Sequence, residues 1–497
     1  MKIFDAATWP KSLTRTIRVL LCGAVFSGVY FAIALHRADS GLQRVELNVA
    51  HGLDDNTLPS SDWRSPRPDC GVHKDPGNIA IIVKTGATVI SERLPTLLLT
   101  SLRCVDNPLI FSDLEQEFGG HHVYDVLSNF SRKEGNADFD LYRTQQEYAA
   151  NGRHVDLPNL RELPIVSSDW RTKGKSAAWS LDKYKFLHMI DKAWELRPDQ
   201  DWYLFLEADT FISWANLLRW LPSLDPRRKL YLGSAVRMYE SPYLLYFANG
   251  GSGMLLSGAA VSEFAAEGVA QKWDSRISEM WFGDYVLAAA LYEEMGLQVT
   301  DAKPTMIHDE PSLIAFHSDM WCKPVVALHH LTSEEQDHLW KLDQARNTSA
   351  LLFRDVYNIA YPRGLPSVEA QWDNLAQDSQ YAVDSITDAP KNGSLTVADT
   401  DAHHKACQRA CQRNDKCLQY VVHTQLRPLE GEKGHSIEWS CHLSRAFTLG
   451  RSRPAESGPD GVGSVQSWMS GWMSERIAEW SEQHQECAEG ELVWPAM

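Results

Sequence analysis

The chain has 497 residues, 44% of them hydrophobic, with 48 Lys+Arg against 65 Asp+Glu and a net charge of −17. Such a length supports two or three domains with cores of their own. The acidic balance excludes a nucleic-acid partner held through its phosphates, because that requires a basic surface.

At the N-terminus, Lys2, Lys11, Arg15 and Arg18 precede an uncharged run from Val19 to Leu35. The run is at the short end of what crosses roughly 30 Å of hydrocarbon. Basic residues ahead of it place the rest of the chain in the lumen. Residues 1–37 are therefore expected to form a cytoplasmic tail and a single-pass, type II anchor in the Golgi or ER membrane. A cleaved signal peptide is the rival, since Ala32-Ile33-Ala34 resembles a cleavage site, but the apolar run is long for a signal. Cysteine usage fits a secretory setting. Apart from Cys22 an even set remains, namely Cys70, Cys104, Cys322, Cys407, Cys411, Cys417, Cys441 and Cys487, as a disulfide framework in an oxidising compartment requires. Sequons at Asn129, Asn347 and Asn392 add candidate glycosylation sites.

The polar stretch 38–77 reads as a stem. Ile79–Val83 is a buried-strand run, Glu92–Arg103 is helical, and Pro108–Phe111 is a second strand ending at Ser112-Asp113. Strand, helix and strand at that spacing predict a βαβ crossover and a parallel sheet. Ser180–Leu196 is the clearest helix, with Tyr184, Leu187, Ile190 and Trp194 at three-to-four spacing and Pro198 as its stop. It leads into Asp201-Trp-Tyr-Leu-Phe-Leu206, the strongest strand. Further strands are expected at Lys229–Leu232 and Tyr243–Phe247, and a helix over Asp284–Met295. The fold class expected is α/β for residues 78–346, then a linker over 347–395, then a small disulfide-rich α+β domain and tail over 396–497.

The turn Leu206-Glu207-Ala208-Asp209-Thr210 concentrates the chemistry. Ligands of open α/β folds gather at the carboxyl ends of strands, and acids at i and i+2 share one side of that rim. Two hard oxygen donors there suit Mn²⁺ or Mg²⁺ and, through the ion, a diphosphate. A solvated strand end would carry the same residues, and a phosphatase would need Asp rather than Glu207 as the first acid, to act as nucleophile. Asn249-Gly250-Gly251-Ser252-Gly253 follows a strand and precedes the expected helix Ser257–Glu267, where glycines let backbone approach a ligand; a plain tight turn is the alternative. Asp284 stands at a helix start, a common N-cap position. The pair His329-His330 follows the apolar run Val325–Leu328, an arrangement in which one ring is usually packed and the other exposed.

Taken in order, Ile81-Ile-Val-Lys-Thr85, Leu109-Ile-Phe-Ser-Asp113, Trp202-Tyr-Leu-Phe-Leu-Glu-Ala-Asp-Thr210, Gly250-Gly-Ser-Gly253, Gly283-Asp-Tyr-Val-Leu287 and Ala327-Leu-His-His330 resemble glycosyltransferase family 31. This is the Fringe and core-1 β1,3-galactosyltransferase group, in particular its fungal members. The resemblance covers about residues 70–345. It implies a GT-A fold with a Rossmann-type mixed sheet and inverting, metal-dependent transfer of a sugar from a UDP-sugar to a glycan or glycoprotein hydroxyl, forming a β1,3 linkage. It further implies Glu207, Asp209 and His329 as ligands of Mn²⁺ or Mg²⁺, and Asp284 as general base. Lys84, Thr85, Lys185 and Asp209 would bind the donor, and Gly250 and Gly251 would form the substrate loop. Two positions depart from the pattern: the first metal acid is Glu, and residue 283 is Gly where animal relatives often have an acid. The alternative is a catalytically silent lectin-like or scaffold protein of the secretory pathway, although such a protein has no physical reason to keep Glu207, Asp209, Asp284 and His329 together.

Beyond it, Cys407-x3-Cys411, Cys417-Leu-Gln-Tyr420 and Cys441-His-Leu443 resemble a PAN/Apple domain. That resemblance implies Cys407–Cys441 and Cys411–Cys417 as pairs. A zinc site is the rival, disfavoured by the lumenal setting and irregular spacing. Cys70, just before the first strand, is placed to meet Cys104 after the first helix, which leaves Cys322 and Cys487 as partners by elimination.

Overall fold

The computed structural model describes residues 78–161, 163, 176–239, 244–346, 349–381, 393–394, 399–428, 435–458, 463–487 and 493–495. The expected anchor, the stem, Cys70, Asn347 and Asn392 lie outside the described residues. Among the described residues no helix is long and apolar enough to cross a membrane.

Strand β1 (Ile79–Lys84) is buried at every position, as a central strand covered on both faces requires. Helix α1 (Ile90–Leu99) carries the chain over to β2 (Leu109–Ser112), which pairs parallel to β1. A hairpin of β3 (Gln116–Phe118) and β4 (His121–Asp125) extends that edge, with β4 parallel to β2. After α2 (Asp140–Ala150), the single helix expected over Ser180–Leu196 is two: α3 (Ala177–Asp182) and α4 (Lys185–Leu196). Asp138 accounts for the break, since it binds both intervening residues: the Lys183 ammonium lies 3.1 Å away and the Tyr184 hydroxyl donates to it at 2.7 Å. The break turns Lys185 inward to near-complete burial.

Strand β5 (Trp202–Glu207) pairs parallel on the other side of β1, with Lys84 opposite Glu207. Its side chains alternate: Tyr203 and Phe205 enter one core with α4, while Trp202, Leu204 and Leu206 enter a second core under α1. The chain leaves β1 toward β2 on one side and returns as β5 on the other. The carboxyl ends of β1 and β5 are thus a topological switch point, where open α/β sheets bind ligands. Two short strands follow, β6 (Phe211–Ile212) and, after α5 (Trp214–Trp220), β7 (Tyr231–Gly233). A hairpin of β8 (Ala235–Met238) and β9 (Leu245–Ala248) leads to β10 (Met254–Ser257), α6 (Gly258–Ala266), α7 (Gly283–Met295) and β11 (Thr300–Asp301). The sheet order is β11-β7-β10-β5-β1-β2-β4-β3, with β10 antiparallel to both neighbours, so the expected α/β class with a mixed sheet is what the chain adopts. Strand β12 (Ala327–Leu328) pairs antiparallel with β6.

Ser213 caps α5 and donates at 2.7 Å to Asp343 on α8 (Ser333–Arg346). Burial pushes the Asp343 carboxyl from an ordinary 3.8 up to about 6, although Ser213 and Arg219 pull the other way. The unfolded chain ionises this group first, so its contribution to stability is full below the ordinary value and is lost as pH rises toward about 6. About two units at roughly 1.4 kcal/mol each amount to about 3 kcal/mol. Asp343→Asn keeps an acceptor for Ser213 and is expected to raise the melting temperature at pH 7 by more than at pH 4. An equal change at both pH values would refute this.

The stretch expected as a linker holds structure of its own: α9 (Phe353–Ala360), β13 (Val368–Ala370) and β14 (Ser379–Tyr381). The two strands are edges of the C-terminal sheet, so few apolar residues are needed, and that is why the sequence there reads as a connection. After α10 (Asp399–Arg413) come β15 (Gln419–Pro428), β16 (His435–Ser444) and β17 (Val465–Trp472). The order is β13-β17-β15-β16-β14, with short strands Gly393–Ser394 and Glu456–Ser457 added at β16 and β17. Disulfides Cys407–Cys441 and Cys411–Cys417 staple α10 to β16 and to the following turn. Cys322–Cys487 joins the chain beyond α11 (Ser474–Gln483) to the α/β region. Cys104 is disulfide-bonded, and its expected partner Cys70 lies outside the described residues. A common core runs across the junction: Phe316 and Phe447 exchange backbone hydrogen bonds at 2.9 and 3.0 Å, and Trp480 packs edge-on against Trp321.

Candidate functional site

Every described residue singled out for chemistry in the α/β region lies around the carboxyl ends of β1 and β5. Because Lys84 and Glu207 are register partners, Lys84 Nζ comes within 3.2 Å of Glu207 Oε1, and it makes a closer ion pair with Asp182 at the end of α3. Burial pulls the Lys84 ammonium down, but Asp182 and Glu207 outweigh it and hold its pKa above the usual lysine range. Lys185 Nζ lies 2.9 Å from Asp113 and 3.1 Å from Asp182, and donates to the Thr85 carbonyl at 2.9 Å. It is 2% exposed, so it braces the rim from behind rather than presenting a free cation. Thr85 Oγ1 beside it is buried without a hydrogen-bond partner, and such a hydroxyl gains most from a ligand acceptor.

Asp209, two residues past Glu207, faces the other way. Its Oδ2 is 2.9 Å from Arg93 on α1, and its Oδ1 is 3.2 Å from His329 Nε2. Against the upward push of burial, the His329 hydrogen bond and the Arg93 charge hold Asp209 down at about 2. The β6–β12 pairing, with Phe211 opposite Leu328, brings the two segments that carry Asp209 and His329 side by side. His329 is buried and His330 exposed, with ring centroids 3.8 Å apart. Burial and the neighbouring His329 hold His330 below the usual histidine range. Ligating atoms of Asp209, His329 and His330 lie within 4.8 Å of one another. Glu207, the expected first ligand, has Oε2 3.9 Å from His329 Nε2 while its Oε1 lies 3.2 Å from Lys84.

The glycine loop joins the two halves. Asn249 accepts from the Gly251 N–H at 3.0 Å, and Thr210 donates to the Gly251 carbonyl at 2.9 Å, which fixes the loop over the end of β5. The Gly250 N–H donates to Asp284 Oδ2 at 3.0 Å. A Cβ on Gly250 would stand 3.0 Å from both Asp284 Oδ1 and Glu207 Oε1, so the two carboxylates flank this residue. Burial, with the Glu207 charge nearby, pushes Asp284 up to about 7. A Cβ on Gly251 would lie 2.1 Å from the His329 ring, and one on Gly283 would lie 2.0 Å from the Phe186 ring. The second distance explains why residue 283 carries no acid here: Phe186 fills that space and lies under the Lys84 ammonium at 4.9 Å.

Asp182, Arg93, Asp113 and His330 belong to the site although the motifs did not assign them. Asp182 and Arg93 sit on helices far from β5 in sequence, and nothing local marks them. His330 carried a signal in being one of two adjacent histidines. Of the sequons, Asn129 is exposed, as an acceptor needs.

The arrangement sets a half-buried carboxylate able to take a proton beside a carboxylate–imidazole cluster suited to a divalent cation. No protein-family profile matches the chain. Among solved structures it is similar to a glycosyltransferase involved in the glycosylation of the major capsid of PBCV-1, at 13% identity and a TM-score of 0.22, covering 36% of this chain and 79% of that one. It is also similar to the galactosyltransferase LgtC in complex with donor and acceptor sugar analogs, at 13% identity and a TM-score of 0.28, covering 51% of this chain and 88% of that one. At these scores neither likeness carries any of the reasoning that follows.

Proposed function

We propose that this chain transfers a sugar from a UDP-sugar to a hydroxyl of a glycan or glycoprotein, with inversion. The observation that carries the reading is the convergence on adjacent residues of one loop: Gly250 between Asp284 and Glu207, and Gly251 against His329. A proton acceptor and a cation-holding cluster at that spacing are what displacement of a diphosphate by a hydroxyl requires. Asp284 takes the proton of the acceptor hydroxyl, with one oxygen held by the Gly250 N–H so that the other is free. Asp209 and the neighbouring imidazoles fit a divalent ion, which when bound stabilises charge on the leaving diphosphate. Arg93 adds positive charge at the same place, and the Thr85 hydroxyl offers the donor a hydrogen bond. A single displacement inverts the anomeric centre. The ordered motifs shared with glycosyltransferase family 31 support UDP as carrier and a β1,3 linkage. A lumenal, Golgi- or ER-anchored enzyme with a PAN/Apple-like C-terminal domain completes the reading.

The test is a screen of UDP-sugars for UDP release that depends on a divalent ion. In the same system Asp209→Ala should abolish ion-stimulated donor binding while leaving the fold intact. Unchanged donor affinity by calorimetry would remove Asp209 from the ion site. Absence of UDP release from every donor would favour a silent, lectin-like or scaffold role.

A further inference from the structure

The cation cluster has a third member that the strand-end motif does not supply. Glu207 has Oε1 3.2 Å from the Lys84 ammonium, whereas His330 has a ligating nitrogen within 4.8 Å of the ligating atoms of Asp209 and His329. Phe211 pairs with Leu328. Beyond that pair the chain runs directly into His329 and His330, on the side where Asp209 lies. His330 has φ of 56°, a left-handed conformation found mainly in glycine and, among other residues, in asparagine, aspartate and histidine. Such a conformation persists only where the surroundings impose it, and here it turns the ring onto His329 at 3.8 Å between centroids. The 3.2 Å from Asp209 Oδ1 to His329 Nε2 is close to the edge of a coordination shell with bonds of about 2.1 Å.

We propose that His330 is the third protein ligand of the cation, making the site a two-imidazole, one-carboxylate set that selects a borderline transition metal over Mg²⁺. Imidazole nitrogen favours zinc, cobalt and similar ions, while Mg²⁺ prefers an all-oxygen shell that keeps its waters. The exposure of His330 leaves one side of the ion open to donor oxygens, as a catalytic rather than a structural site requires. Glu207 then serves the proton-handling half, where Lys84 and Asp284 flank it. The inference rests on the sugar-transfer reading only for what the ion does; the ligand set stands or falls on metal binding alone.

Affinities for Mg²⁺, Mn²⁺, Co²⁺ and Zn²⁺ are measured by equilibrium dialysis on the full-length protein without nucleotide, for wild type, His330→Asn, His330→Gly and Glu207→Gln. Asn and Gly both accept the left-handed backbone, so these variants remove the imidazole without straining the turn. The wild type should bind Co²⁺ and Zn²⁺ more tightly than Mn²⁺, with Mg²⁺ weakest. Both His330 variants should lose on the order of ten- to a hundredfold in Co²⁺ and Zn²⁺ affinity, at least the scale seen when outer partners of metal ligands are removed. They should also change the visible spectrum of the Co²⁺-loaded protein, and Glu207→Gln should do neither. Unchanged Co²⁺ affinity in the His330 variants, the loss appearing in Glu207→Gln instead, or no divalent-ion binding by the wild type would each overturn the proposal. UDP release by a protein whose His330 variants bind Co²⁺ like the wild type would leave the transferase reading standing and this one fallen. Ion binding through His330 with no UDP release would do the reverse.

Discussion

Asp284→Asn is expected to lower turnover by roughly two to four orders of magnitude, the scale of losing a general base, while donor affinity barely changes. The substitution keeps the shape of the side chain and an oxygen to accept the Gly250 N–H, which donates to Asp284 at 3.0 Å. It removes only the capacity to hold a proton. The competing role is structural, because Asp284 lies in the first turn of α7, where a carboxylate also favours the helix end. Loss of that effect costs about 1 kcal/mol of stability at most and no catalysis. Turnover at saturating donor and acceptor, read beside a thermal melt, separates the two. Near-normal turnover with a small drop in melting temperature would make Asp284 a helix-end residue and no more.

The second large effect should come from a residue with no side chain. In Gly251→Ala the added methyl would fall 2.1, 2.2 and 2.5 Å from three atoms of the His329 ring. The ring has little room to retreat, with His330 tilted against it at 3.8 Å between centroids and Asp209 at 3.2 Å. His329 must shift by something like an ångström, a displacement that costs about a hundredfold in rate when it falls on catalytic machinery. Overpacking should add roughly 1–3 kcal/mol of destabilisation. Gly250→Ala is the milder comparison, since its methyl would meet the oxygens of Asp284 and Glu207 at 3.0 Å. If Gly251→Ala turns over like the wild type, His329 does not take part in the reaction.

Much of the central sheet was legible because its strands are unbroken apolar runs. β1 and β5 are buried through nearly their whole length, and a charge at the end of such a run stands out. Glu207 and Asp209 were found that way, whereas Lys84 came only from the resemblance to glycosyltransferase family 31. What those charges touch was not legible. The pairing of Lys84 with Asp182 spans 98 residues, and the contact of Asp209 with Arg93 depends on which face α1 presents. Glu207 illustrates the limit: the motif marks it as an acid at the rim, but not that the register sets it opposite Lys84. The split of the expected helix at Lys183-Tyr184 was hidden for a similar reason, since Asp138, which holds the break, belongs to another segment. Edge strands β13 and β14 were missed because an exposed edge need carry no apolar pattern.

The Cys322–Cys487 bond and the core around it have a consequence for synthesis. Phe316, Trp321 and Leu339 are covered by Phe447, Trp472 and Ile477, which leave the ribosome more than a hundred residues later. The α/β region therefore cannot close that side until the segment carrying Phe447, Trp472 and Ile477 has been made, and the Cys322–Cys487 bond can form only after that. A stop codon between residues 347 and 446 would remove all three covering side chains and leave Phe316, Trp321 and Leu339 bare, so the shortened product should be far less stable than the full chain.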